Sequence, residues 1–463
     1  HGGGMYTHSY SYVELDNVLF KENSAYGGGA IMSQNSRIRW LDVEFDNNQS
    51  INQDGLAIWL DNSFSFYSDG VNIHHHNNSQ LREVIRMNMW DNSDDIILKN
   101  WRVQNNTINA RVFAISQQNS SRKLIIENAL ITDNTSTNGG PGLLIRDSRN
   151  KVNIINSTIA NNTSITSTNN TGASMIVVKN AQSDLTVNIL NSIVQNSTST
   201  YTVAENGANG FDLNIENSFI SGGTAKVEVS SNSTKTYGTT NLNSGLYFSD
   251  AASGDYSLAS VSTLIGAGAS SKTMGGSALT PALKDIAGND RPIPSGTNPD
   301  IGAYESSEGS PQIGIASVVT NNGFCETTSG AITANLLNYT GTAAYTWSST
   351  TYPTWTWNNT QSATGLYSGD YKVVAFDALT GTKLDSTEVT ISTLPSIYIV
   401  NTSTDVTCFG DNDGELSFEI FGGNPLGGSQ YTYSVDYQES LAQASGVQLG
   451  NDWYNTDNHS GKR

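Results

Sequence analysis

The sequence predicts an all-β protein: a right-handed parallel β-helix over residues 1–305, followed by two small immunoglobulin-like β-sandwich modules. Three observations carry this expectation. A short phrase recurs at intervals of 25 to 35 residues through the first half of the chain. Asn, Ser, Thr and Gly are abundant while charged residues make up only 14%, a composition poor in helix formers and suited to turns and solenoid bends. Beyond about residue 315 the pattern changes to short alternating strands set between Gly, Asn and Asp turns. A chain of 463 residues exceeds one ordinary core, so about two to four domains are expected. The predicted division is coils over 1–241, a closing segment over 242–305, a linker over 306–314, and modules over 315–394 and 395–463.

The repeated phrase is an apolar strand, then Asn or Asp, then alternating apolar residues, then Asn six positions on. It reads Leu15-Asp16-Asn17-Val18-Leu19-Phe20 ending at Asn23, and Trp40-Leu41-Asp42-Val43-Glu44-Phe45 ending at Asn48. Further copies run through Asn100 to Asn106, Asn128 to Asn134 and Asn156 to Asn162, with weaker ones at Asn72, Asn191 and Asn217. The pivots at 17, 42, 72, 100, 128, 156, 191 and 217 are spaced by 25, 30, 28, 28, 28, 35 and 26 residues. A near-constant period with insertions confined to single turns is the mark of a solenoid. Stacking pairs each strand with those above and below at about 4.8 Å per step. Val18, Phe20, Ile131, Ile159 and Val194 are expected to fill the tube. The pivot Asn supplies a backbone that tolerates the left-handed region, and its amide is expected to bond the equivalent amide one coil away.

Gly27-Gly28-Gly29-Ala30 echoes Gly2-Gly3-Gly4-Met5 from 25 residues earlier. The first coil is therefore expected to be already running at His1, with the natural chain continuing upstream and the second module truncated.

Charge and cysteine usage narrow the function. The net charge of −19, without a basic stripe, argues against nucleic-acid binding. No apolar run reaches the length of a membrane span. Cys325 and Cys408 have neither CxxC nor Cys/His spacing, so neither a zinc site nor a redox pair is signalled.

After Asn217 the pattern gives way to Asp285-Ile286-Ala287-Gly288-Asn289-Asp290-Arg291 and then Asp300-Ile301-Gly302-Ala303-Tyr304-Glu305. This D-x-x-G-x-x-R stretch followed by D-I-G-A-x-E resembles the closing segment of choice-of-anchor Q bacterial surface β-helix proteins, over roughly residues 240–305. The resemblance implies a cap, in which Arg291 pairs with Asp300 or Glu305 over the open edge of the last coil.

The modules that follow carry Cys325, Tyr345-Thr346-Trp347-Ser348 and Gly365-Leu366-Tyr367-Ser368-Gly369-Asp370-Tyr371-Lys372-Val373, then Val406-Thr407-Cys408-Phe409-Gly410 and Tyr431-Thr432-Tyr433-Ser434. They resemble the SprB-like repeats of gliding-motility adhesins of Bacteroidota, over about residues 315–440. Family repeats commonly close with Asp-x-x-Gly-Cys; Asp377-Ala378-Leu379-Thr380-Gly381-Thr382 lacks that Cys, which leaves Cys325 buried and free in this reading.

Several chemically suggestive clusters also have a structural explanation. His74-His75-His76 lie consecutively on a strand, so they alternate faces and cannot all bind one metal; the repeat alignment places His75 inward and the other two outward. Asp91, Asp94 and Asp95 with Lys99 and Arg102 suggest the groups of a polysaccharide lyase, yet cluster as loop acids do. Asp411-Asn412-Asp413-Gly414-Glu415 lacks the spaced glutamate of a calcium loop and reads as a turn. Trp347, Trp355 and Trp357 suit a sandwich core better than a sugar platform. The Asn-x-Ser/Thr triplets at Asn105, Asn161 and Asn196 are expected by chance in so Asn- and Thr-rich a chain. No catalytic, cofactor-binding or metal site is assigned, and no cofactor is expected.

Taken with the resemblances, the expectation is a non-enzymatic segment of a large adhesin or filament protein. It would be extracellular on the bacterial cell surface, exported by type IX secretion, and would serve attachment or gliding motility. Its partners would be surface glycans or other cell-surface proteins, met by multivalent contact. The alternative is a secreted polysaccharide lyase or hydrolase acting in a groove of the β-helix.

Overall fold

The structure, a computed structural model, describes residues 2–52, 55–63, 65–78, 83–89, 94–117, 122–146, 148–165, 172–178, 184–195, 200–207, 209–321, 330–354, 356–358, 360–392, 398–404, 407, 415–421 and 460–462. Two compact units divide the chain, His1–Gln312 and Ile313–Arg463. The first is a right-handed-type parallel β-solenoid of about seven turns. Apart from short 3₁₀ turns, the described residues form strands and loops, and no helix among them is long and apolar enough to cross a membrane.

The first coil contributes β1 (Met5–Thr7), β2 (Tyr12–Lys21) and β3 (Ser24–Ala25). The second contributes β4 (Ile31–Gln34), β5 (Arg37–Asp46) and β6 (Gln49–Ser50). The third adds β7 (Ile58–Asp61), β8 (Ser65–His74) and β9 (Asn77–Asn78), and the fourth β10 (Ile85–Met89), β11 (Ile96–Gln104) and β12 (Thr107–Ile108). Each strand pairs in parallel with its equivalent in the next coil: Met5 opposite Ile31, Val13 opposite Ile38, Ser24 opposite Gln49. No strand can satisfy its backbone within its own coil, so the stack is what closes the hydrogen-bond ladders. Among the described residues the three faces form a nine-stranded sheet, a thirteen-stranded sheet, and a discontinuous set of short strands.

Among the described residues, two columns of left-handed corners recur along the coils. Asn17, Asp42, Asn100, Asn128, Asn156, Asn191 and Asn217 carry φ between 45° and 54°, and Gly70 completes the column at 72°. The expected pivot at Asn72 is therefore corrected to Gly70. Asn72 lies inside β8, opposite Glu44 and Arg102. Glycine suits this corner for a second reason besides its backbone freedom: a Cβ at 70 would lie 2.2 Å from Asp42 Oδ1. The second column, Glu22, Asn47, His75, Asn105, Asp133 and Asn161, has φ between 50° and 59°.

The amide ladder also differs from expectation. Just after the second corner, Asn23 Nδ2 donates to Asn48 Oδ1, Asn106 to Asn134 and Asn134 to Asn162, each at 2.9 Å. Backbone N–H groups of Asn23, Asn106 and Asn134 donate to the same oxygens. Rungs 48, 106, 134 and 162 are fully buried, where an unpaired amide is costly. At the pivots, Asn128 does reach Asn100 at 3.1 Å, but most pivot amides serve another partner.

That partner is the segment expected to cover the last coil's open edge. It runs back along the flank of the solenoid instead. Asn217 Nδ2 donates to the Ala267 carbonyl, Asn191 to Ala269, Asn156 to Asp300 and Asn128 to Lys284. Ile193 and Phe219 pack with Leu264, Ile265 and Ile301, and Leu130 and Ala160 with Tyr256, Ile286 and Ala303.

The tube interior is apolar and partly aromatic. Phe20, Ile131, Ile159 and Val194 are buried as expected, and Val18 is half-buried against them. Phe20 stacks on Phe45 at 5.3 Å, and Trp101 on Phe113 at 5.4 Å.

The second unit holds small antiparallel sheets. Gly314–Asn321, Gly330–Leu337 and Ser362–Leu366 form one; Thr356–Asn358, Ala343–Ser349, Gly369–Asp377 and Lys383–Ile391 form another. Both contribute to a core around Trp347, Tyr371, Ile332 and Leu366. Tyr398–Thr404, Glu415–Phe421 and Ser460–Lys462 make a third. Cys325 and Cys408 lie outside the described residues.

Candidate functional site

Among the described residues, a set of potential metal-ligating side chains gathers at the second corner of the first three coils. Strand pairing places Lys21, Asp46 and His74 in one column, and Leu19, Glu44 and Asn72 in the next column on the same outward face. His75 would alternate to the opposite face if the strand continued. Its φ of 59° ends the strand and turns the ring back, against His74 at 4.5 Å and nearly perpendicular to it.

Three donor atoms converge as a result. His74 Nδ1 lies 2.9 Å from His75 Nδ1, His75 Nδ1 3.1 Å from Asp46 Oδ1, and His74 Nδ1 3.4 Å from that oxygen. The outer atoms are occupied elsewhere: His74 Nε2 is 2.9 Å from Glu44 Oε1, and Lys21 Nζ is 2.8 Å from Asp46 Oδ2. The Lys21 hydrogen bond, aided by His75 and His74 and opposed by partial burial, holds the Asp46 carboxyl below its ordinary range. Asp46, in turn, raises Lys21.

His76 departs from the expected placement. It is fully buried, whereas the His75 side chain is 62% exposed, so the inward residue is His76. It takes the ladder position that Asn holds in neighbouring coils, with Nδ1 3.0 Å from Asn106 Oδ1. Burial drives its pKa down to about 4, so the ring is neutral. Correcting the third pivot from 72 to 70 accounts for this. Six residues beyond Gly70 is His76, and the histidine triplet is one copy of the corner that elsewhere reads Asp46-Asn47-Asn48 or Gln104-Asn105-Asn106. The column of Asn and Asp at 47, 105, 133 and 161 was the sequence signal for a corner at His75.

The other candidates disperse. Asp95 Oδ1 accepts the Lys123 backbone N–H at 2.8 Å, Lys99 pairs with Glu127 at 3.3 Å, and Arg102 donates to the Ile286 carbonyl. Asp94 is exposed, and Asp91 lies outside the described residues. A groove of about 440 Å³ opens nearby, lined by Asp42, Asp69, Asn100, Arg102, Lys284 and Asp285 among others.

The Asp285–Arg291 and Asp300–Glu305 stretches form a buried clasp. Arg291 pairs with Glu305 at 3.3 Å rather than with Asp300, and donates to the Gly302 and Ala303 carbonyls. Asp285 accepts backbone N–H groups from Ala287, Asn289 and Glu305, and Asp300 from Gly266 and Ser306. Burial pushes Asp300 up to about 6 and Glu305 up to about 7.

In the second unit Trp347 is buried, its indole N–H donating to the Thr360 carbonyl. Trp355, the Trp357 side chain, Asp411 to Gly414, the Glu415 side chain and Asn196 lie outside the described residues. Asn105 and Asn161 are left-handed corner residues.

Compared with protein-family models, with curated proteins and with solved structures, the chain finds no match in any of the three.

Proposed function

We propose that this chain is a non-enzymatic segment of a large secreted bacterial adhesin or filament protein, working outside the cell as a rod that carries repeated weak contacts. The observation that carries this reading is the flank itself. Most of its corner amides bond one another or the returning segment, and Asn100 donates to Asp69, so these amides serve the scaffold. Sequence resemblance to choice-of-anchor Q closing segments and SprB-like repeats adds the immunoglobulin-like character of the modules, the type IX export route and a role in attachment or gliding. Ligands would be surface glycans or other cell-surface proteins, held by avidity rather than by one deep site.

A competing reading, a polysaccharide lyase or hydrolase, draws on the groove lined by Asp42 and Asp69 as well as Arg102 and Lys284. Beads coated densely and sparsely with the whole chain, challenged with a panel of bacterial and plant polysaccharides, separate the two. Adhesion predicts retention that rises steeply with coating density and leaves the polysaccharide uncut. Release of shortened saccharides, or density-independent retention, would overturn it.

A further inference from the structure

We propose that Asp46, His74 and His75 form a binding site for a first-row divalent metal ion of the zinc class, with its open side toward solvent. The inference is independent of the adhesive reading. Metal–ligand bonds of about 2.0–2.2 Å place neighbouring donors roughly 3.0–3.5 Å apart. The three convergent atoms stand at 2.9, 3.1 and 3.4 Å from one another. Two imidazoles and one carboxylate suit zinc, nickel, cobalt or iron rather than calcium or magnesium, which prefer all-oxygen sets.

The supporting contacts point the same way. A carboxylate only accepts, so His74 Nε2 must carry the proton it gives to Glu44. In the neutral ring Nδ1 then presents a lone pair inward, the arrangement by which carboxylates orient metal-binding histidines. Lys21 similarly engages Asp46 Oδ2 and leaves Oδ1 to the site. The exposed His75 ring leaves room for water or an outside ligand to complete the shell. Sequence alternation excludes such a site; the left-handed corner at His75 creates it.

The test uses the whole chain, stripped with a chelator and titrated with Zn²⁺ against a chromophoric competitor. A parallel Co²⁺ titration is read by its visible absorption bands. One tight equivalent is expected. His75→Asn should weaken it at least tenfold while keeping the fold, because Asn already occupies the same corner at 47, 105 and 161. Asp46→Asn should do likewise, and Glu44→Gln should cost about 10- to 100-fold. Excess Ca²⁺ should not compete. Absence of a stoichiometric equivalent overturns the proposal, as does unchanged affinity in both His75→Asn and Asp46→Asn, which would place the ion on other histidines such as His8.

Discussion

At the scale of single residues, the buried ladder gives the sharpest expectations. Asn134 links two rungs: its Oδ1 accepts both the side-chain and backbone N–H of Asn106, and its own amide reaches Asn162 and the Val103 carbonyl. Asn134→Ala strands several buried groups at about 1–3 kcal/mol each, so a clear fall in the thermal midpoint is expected. His76 is the opposite case. Its Nε2 has no hydrogen-bond partner among the described residues, whereas an Asn there would offer an oxygen to the rung at Asn48. His76→Asn is expected to match or exceed the parent stability, by up to about 1 kcal/mol; a lower midpoint would sink the ladder account. Seven of the eight pivots were legible in the sequence because Asn and Asp tolerate the left-handed region. Gly70 was not, because the similar phrase around Asn72 drew the alignment two residues too far. That slip also misplaced the histidines.

At the scale of the element, the returning segment is held by its clasp. Asp285, Asp300 and Glu305 surround one guanidinium, and burial raises Asp300 to about 6 and Glu305 to about 7. A carboxyl whose folded pKa exceeds its unfolded value binds protons more tightly when folded. Its contribution is complete below the unfolded value and is lost as pH rises through the folded one. Docking of the segment is therefore expected to weaken by a few kcal/mol as pH rises from about 4 to about 7. Hydrogen exchange of residues 283–305, corrected for intrinsic rates, reads this directly. Glu305→Gln should flatten the dependence, and a segment equally protected across that range would refute it. Arg291→Ala removes the buried cation paired with Glu305, at about 3–5 kcal/mol, and is expected to free the segment to proteolysis while the coils stay folded. The motif was legible in the sequence. Its path was not, because the contacts that fix it span 144 and 184 residues, and nothing local encodes such pairings.

At the scale of the molecule, the solenoid is a stack whose coils contact chiefly their neighbours, so stability is close to a sum over coils and interfaces. The repeat period made this architecture legible, since every corner and core position recurs in register. One consequence distinguishes register from mere length. Asn23 and Asn48 occupy equivalent rungs, so removing residues 24–48 joins Asn23 to Gln49 and leaves every later residue in its column. The shortened chain is expected to fold with a modestly lower midpoint. It also loses Asp46 and Glu44, so its Zn²⁺ equivalent should vanish. Removing residues 24–47 instead, one residue fewer, leaves a second Asn behind the corner and shifts the junction by one. Because strand side chains alternate with a period of two, a one-residue slip turns core positions toward solvent, unless a bulge absorbs it. That variant is expected to lose protection throughout the first coils. Circular dichroism and limited proteolysis of the two deletions decide the matter: equal behaviour would mean that the columns of Asn corners do not set the register, and that the stack is held by apolar packing alone.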